Sequence, residues 1–323
     1  MEIRMEHLLS LKHWSPERIR VVLDLARDMK ARPGKYSNAM THKTLLMIFE
    51  KPSLRTRLSF EVGMTQMGGH AIYYHTGSSP MGSGKESISD SIKTSSRFVD
   101  VIMARLFKHE DLIEMAKSAT VPVINALTDD SHPCQILADL QAIEEKKGRL
   151  AGLKLAYLGD GFNNVTNSLM HGCSKMGMHI SVGSPAGAEY SPRADVVESA
   201  SAFAAASGGS VVVTDDPAAA IKDADVVYTD SWMSYHIPKE QEETRITKLM
   251  PYQVNANLMR HANPDAIFMN CLPALRGYEQ TAEIIDGPQS IVFDEAENRI
   301  HVQKAVILTL CGATCPECNP ANP

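Results

Sequence analysis

"KTLLMIFEKPSLRTRLSFE", Lys43–Glu61, reads as a buried strand that turns sharply into a helix. "KTLLMIFE" (43–50) is a short, continuous apolar run, the pattern of a strand covered on both faces. The residue before Pro52 is pushed away from helical angles, which keeps the turn tight. Beyond it Leu58, Val62 and Thr65 lie on one helical stripe, and Gly68-Gly69 mark its stop. Strand, turn and helix in this form belong to a parallel sheet flanked by helices, an α/β fold.

The alternation continues along the chain. "HAIYYH" (70–75), "VDVIMARL" (99–106) and "VPVINAL" (121–127) read as strands, and "EDLIEMAKSA" (110–119) as an amphipathic helix. A second series opens near Leu153. Its strands are "LKLAYLGD", "MHISVGSP", "SVVVTDD", "DVVYTDSW" and "DAIFMNCLP". Its helices are "NVTNSLMHGCSKMG", "PRADVVESASAFAAAS" closed by Gly208-Gly209, "PAAAIKDA" and the final "IHVQKAVILTL". The charged, glycine-bearing "EKKGRLAG" near residue 150 is the expected boundary between two α/β domains, 1–150 and 151–323, each with a central parallel sheet. The final helix, about 300–311, is expected to return to the first domain.

Composition narrows the class. The chain has 323 residues, is 44% hydrophobic and 22% charged, and carries a net charge of −6. A mildly acidic balance argues against a nucleic-acid or anionic-membrane partner, since both reward a basic face. The charged N-terminus lacks the apolar core of a signal peptide, and no stretch approaches a membrane span. The six cysteines, Cys134, Cys173, Cys271, Cys311, Cys315 and Cys318, read as reduced thiols of a cytoplasmic protein. Three of them cluster in "LCGATCPEC" without a nearby fourth ligand, so a tail of free thiols is preferred to zinc, and no metal is expected.

In open α/β sheets ligands sit beyond the carboxyl ends of the strands. Ser53, Arg55, Thr56 and Arg57 fall at such a place. Unpaired N–H groups at a helix start, two hydroxyls and a guanidinium make a cradle for phosphate or carboxylate. The blander alternative is a serine N-cap beside solvated arginines. His132 and Gln135, in "HPCQ" after a strand, could donate to a developing oxyanion, although a capping histidine is the commoner case. Arg105 ends another strand, where snorkelling to the surface is the ordinary fate. Taken together, three such groups at three strand ends favour an anion site.

The second half raises the question of a nicotinamide cofactor. In "LGDGFNNVTNSL" Asn164 stands where the dinucleotide fingerprint needs its third glycine, so the pattern fails. Asp230, Ser234 and Tyr235 follow one strand, and Asp230 can bind an ammonium. Cys271 ends another strand, although a lone cysteine is most often a small buried hydrophobe. A polar rim of Asn164, Asp230 and Cys271 opposite an anion cradle suggests two substrates meeting in an interdomain cleft.

With those residues in view, the chain resembles the aspartate/ornithine carbamoyltransferase family, most closely its ornithine branch. "FEKPSLRTRLSFE" resembles the family's carbamoyl-phosphate signature, "HPCQILADL" its second signature, and "NCLPALRGYEQTAEIIDG" and "FDEAENR" its C-terminal ones. The resemblance implies that Ser53, Leu54, Arg55 and Thr56 hold the phosphate. Arg105, His132, Gln135 and Arg299, with the backbone at Cys271 and Leu272, would grip the remaining oxygens. Asn164, Asp230, Ser234 and Tyr235 would bind ornithine, and Cys271 with Asp230 would lie near the attacking amine. It also implies transfer to citrulline without a cofactor, and a homotrimer with sites at subunit contacts. In the aspartate branch a lysine placed like Lys85 reaches a neighbouring subunit, but a solvated loop lysine is the simpler reading. Two departures bear on the amine. Ser234-Tyr235-His236 replaces Ser-Met-Gly, and Asn270 replaces the usual histidine. Putrescine, an N-acylated ornithine, or a non-catalytic binding role are the alternatives.

Overall fold

The computed structural model describes residues 6–233 and 237–312. The chain forms two compact units. One comprises the residues up to Ala138 together with those from Glu297 onward, and the other spans Asp139–Ala296. The first crossover lies within a helix, ahead of the "EKKGRLAG" turn, which itself belongs to the second unit.

The strands of the first unit are β1 (Thr44–Phe49), β2 (His70–His75), β3 (Val101–Arg105) and β4 (Val123–Leu127). All pair in parallel, in the order β2-β1-β3-β4. β1 and β3 are almost wholly buried, as their unbroken apolar runs require. The helices are α1 (Pro16–Ala31), α2 (Leu54–Gln66), α3 (Ile88–Ser95), α4 (His109–Ser118) and the start of α5 (Pro133–Lys147). Leu46, Ile48, Ile102 and Ala104 of the sheet meet Ile92, Leu112 and Met115 of α3 and α4 in one core.

The second unit carries β5 (Lys154–Leu158), α6 (Asn164–Lys175), β6 (His179–Gly183), α7 (Ala194–Ser207), β7 (Ser210–Thr214), α8 (Pro217–Ile221), β8 (Val226–Tyr228), α9 (Glu242–Leu249), α10 (Ala256–Met259), β9 (Ile267–Met269) and α11 (Ala282–Ile285). Its five parallel strands run β7-β6-β5-β8-β9. Ala156, Leu158, Val227 and Phe268 of this sheet bury against Ile221, Ile284, Ile285 and Val292. The α/β class read from the sequence holds in both units. The last helix, α12 (Val292–Cys311), starts eight residues before "IHVQKAVILTL", and from Glu297 onward it belongs to the first unit. There Gly63 of α2 lets the helices close in, since a Cβ on it would lie 3.2 Å from Lys304 Cγ.

The stripe of Leu58 and Val62 does not face the core. With Leu54 these side chains stay 70%, 51% and 40% exposed at positions 54, 58 and 62, and α2 instead buries Phe60 and Met64.

Candidate active site

Ser53 caps α2. Its Oγ accepts the Thr56 N–H at 3.3 Å and donates to Thr56 Oγ1 at 3.1 Å. Two guanidiniums then reach Thr56 Oγ1. Arg105, at the end of β3, donates to it at 3.5 Å, and Arg299, on α12, at 3.3 Å. A second nitrogen of Arg299 donates to Gln135 Oε1 at 2.5 Å. Helix, strand end and a remote helix thus converge on one threonine hydroxyl. Arg105, His132, Gln135 and Arg299 are all buried.

The cluster is strongly cationic. Burial first, then the charges of Arg299, Arg105, Lys51 and Arg55, hold His132 well below its ordinary value of 6.5. Its imidazole is therefore neutral near pH 7, with one N–H donor and one acceptor nitrogen. Four cations, countered at Lys51 by Asp129 and Glu50, surround a neutral donor and favour an anionic ligand. Sequence reasoning missed Lys51. It is buried, its ammonium lies 4.6 Å over the Phe107 ring, and burial and Arg105 bring it down to about 8. The available signal was its place at the strand-end corner beside Ser53. Arg57, read there with Arg55, turns outward instead, pairing with Glu61 at 3.0 Å and stacking 4.1 Å over Tyr73. The Leu54 side chain is exposed, so only its backbone can serve an anion here. Lys85 lies exposed on a loop.

In the second unit β5 lies beside β8, and β8 beside β9. Strand order reverses about β5, the place where such sheets bind ligands. Asn164 opens α6 after β5, Asp230 follows β8, and Cys271 follows β9. Cys271 Sγ donates to Asp230 Oδ1 at 3.1 Å. Burial foremost raises both groups, and the Asp230 charge adds to the rise at Cys271. The thiol stays protonated. Leu272 sits at φ 55°, a left-handed conformation leucine rarely adopts, and its N–H is held by Asn270 Oδ1 at 2.8 Å. Asn270 itself is fully buried and donates to Gln280 Oε1 at 3.2 Å. Its carboxamide therefore shapes the segment from beneath.

The glycines that suggested a cofactor loop have a packing role. Gly159, at φ 131°, leaves room for the Trp232 indole, whose Nε1 would lie 3.1 Å from a Cβ placed there. Asp160 forms a buried ion pair with Arg245 of α9, which also donates to the Trp232 carbonyl at 3.0 Å and stacks over Tyr190. This pair ties the loop before Asn164 to the segment after Asp230. Ser234 and Tyr235, expected to bind ornithine, lie outside the described residues, as do Cys315 and Cys318. No helix among the described residues is long and apolar enough to cross a membrane.

Comparison with known proteins agrees over nearly the whole chain. Residues 6–145 match the aspartate/ornithine carbamoyltransferase carbamoyl-P binding domain, and residues 151–310 the Asp/Orn binding domain of the same family. The ornithine carbamoyltransferase of Bacillus subtilis is 52% identical over 300 residues, covering 93% of this chain and 92% of that one. That of Thermococcus kodakarensis is 50% identical over 307 residues, 94% and 96% of the two chains. The solved ornithine carbamoyltransferase of Pyrococcus furiosus superposes with a TM-score of 0.91 at 47% identity, covering 97% and 99%. The chain belongs to the aspartate/ornithine carbamoyltransferase family.

Proposed function

We propose that this protein is an ornithine carbamoyltransferase, moving the carbamoyl group of carbamoyl phosphate to the side-chain amine of ornithine to give citrulline and phosphate. The observation that carries the reading is the convergence of Arg105, Arg299 and the Ser53 cap on Thr56. The phosphate binds there with Ser53, Leu54 N–H, Arg55, Thr56 and Lys51. His132, Arg105 and Gln135 hold the carbamoyl oxygen, with the Cys271 and Leu272 backbone contributing. Asp230, Asn164, Ser234 and Tyr235 bind ornithine, and Cys271 positions its δ-amine.

The amine, with an ordinary pKa of about 10, must be neutral to attack. Its nitrogen bonds to the carbamoyl carbon, and the oxyanion is stabilised by Arg105 and by the neutral His132 as donor. The carbon–oxygen bond to phosphate then breaks, and the surplus proton leaves with a phosphate oxygen. Cys271, kept protonated by burial and Asp230, is not the base. Holding both substrates in register supplies much of the acceleration.

The exposed stripe of Leu54, Leu58 and Val62 supports a subunit contact, which would cover it, and such a contact suits the homotrimer that the family resemblance implies. The net charge of −6 suits a cytoplasmic enzyme of small molecules. The test is a panel of amines offered with carbamoyl phosphate. Citrulline from ornithine is expected; carbamoyl-putrescine alone, or no product with any amine, would overturn the reading.

A further inference from the structure

Asp139 of α5 and Glu295 of α12 are both fully buried, both lie in the second unit, and the chemistry above uses neither. Glu295 Oε1 accepts the Tyr228 O–H at 3.2 Å, and Oε2 accepts the Asn270 N–H at 3.2 Å. Its third contact is a hydrogen bond with the Asp139 carboxyl. Two carboxylates offer only acceptors, so two carboxyls can bond to each other only when one keeps a proton.

We propose that Asp139 and Glu295 form a carboxylate–carboxylic acid pair that positions the Asn270–Leu272 segment. The route is short. Glu295 fixes the Asn270 backbone; Asn270 Oδ1 holds the Leu272 N–H at 2.8 Å; and Leu272 is kept in its left-handed conformation. Cys271 lies between them, its thiol aimed at Asp230. The functional part of the inference rests on reading this segment as part of the transferase site. Burial first and then Asp139 raise Glu295 well above the usual carboxyl range, so the pair keeps one proton. Tyr228 and Cys271, which face the pair, are themselves kept protonated by burial; Asp230 is the other carboxyl acting on both.

Infrared difference spectra of the whole protein at pH 8 test the proton. Wild type minus E295Q should show the carbonyl stretch of a protonated carboxyl, and in wild type minus D139N that band should appear shifted, its hydrogen-bond partner having changed. No such band would overturn the pair. Turnover and alkylation of Cys271 test the positioning. E295Q keeps a donor for Asp139 and one of the two acceptor oxygens, so its kcat should fall by less than about tenfold, whereas E295L should lose about tenfold to hundredfold, the range of one hydrogen bond to a charged group. E295L should also speed iodoacetamide labelling of Cys271, read by mass spectrometry, and E295Q should not. D139L takes the place of E295L if that variant does not fold. Equal turnover and labelling in the leucine and amide variants would overturn the positioning role. If wild type makes no citrulline the transferase reading falls, but the band and the labelling rate still judge the pair.

Discussion

Lys51→Met is expected to stabilise the protein while weakening its hold on carbamoyl phosphate. Lys51 is 4% exposed, and burial and Arg105 bring its ammonium from 10.5 to about 8. At about 1.4 kcal/mol per pH unit, that depression of about 2.5 represents about 3.5 kcal/mol against the charged ammonium in the folded chain. The sign follows from proton counts. Between pH 8 and 10.5 the unfolded chain holds more protons than the folded one, so stability rises with pH across that window. The penalty is full below about pH 8. Methionine keeps the apolar stem beside Phe107 and removes the charge. The variant should therefore gain about 1–3 kcal/mol in urea unfolding at pH 7, and the gain should close towards pH 10. Calorimetry with fresh carbamoyl phosphate at pH 7.5 should show binding weakened about tenfold to hundredfold, the loss of one charge-assisted contact. Wild-type affinity should itself decline above pH 8 as the ammonium is lost. A variant no more stable at pH 7, or one that binds as tightly as wild type, would refute the reasoning.

Three other substitutions probe the remaining contacts. Arg245→Met leaves Asp160 buried without its cation and should lower stability by about 3–5 kcal/mol at pH 7.5. Burial already holds Asp160 up at about 6, so the folded chain gains stability by taking up a proton as pH falls through 6; the loss should shrink at pH 5, and urea unfolding at both values would show it. The His132 imidazole should be neutral at pH 6.5 by NMR titration, and Arg299→Met should raise its pKa while burial still keeps it below 6.5. Cys271 should react with iodoacetamide at pH 8 at least about tenfold more slowly than a free thiol, and Asp230→Asn should speed it, because only the thiolate reacts.

Much of the fold was legible because parallel strands buried on both faces leave unbroken apolar runs. "TLLMIF" and "VIMAR" are strands over nearly the whole of those runs. Helix faces were less legible. A stripe such as Leu58 and Val62 looks the same whether it meets the core or stays exposed, and only the tertiary fold turned Phe60 inward. The start of α12 was hidden because "FDEAENR" attracts notice as a motif, although its acidic first turn also suits a helix N-terminus. α1 was passed over inside a charged N-terminus, despite Ser15 capping it and Pro16 opening it. In the anion site, strand ends pointed to Arg105 and His132, but spacing could not tell Arg55 from Arg57. That depends on which side of α2 faces Glu61 and Tyr73. Nothing local announces that Arg299, 243 residues beyond Thr56, bonds to its hydroxyl.

The most direct test is a crystal structure with a bisubstrate mimic that joins a phosphonate to the ornithine side chain. The phosphonate oxygens should lie within hydrogen-bond distance of Ser53, Arg55, Thr56 and Lys51, the carbonyl oxygen beside Arg105 and His132, and the amino-acid end against Asp230 and Asn164. A mimic seated elsewhere, with Arg105 and Arg299 still closed on Thr56, would contradict the account.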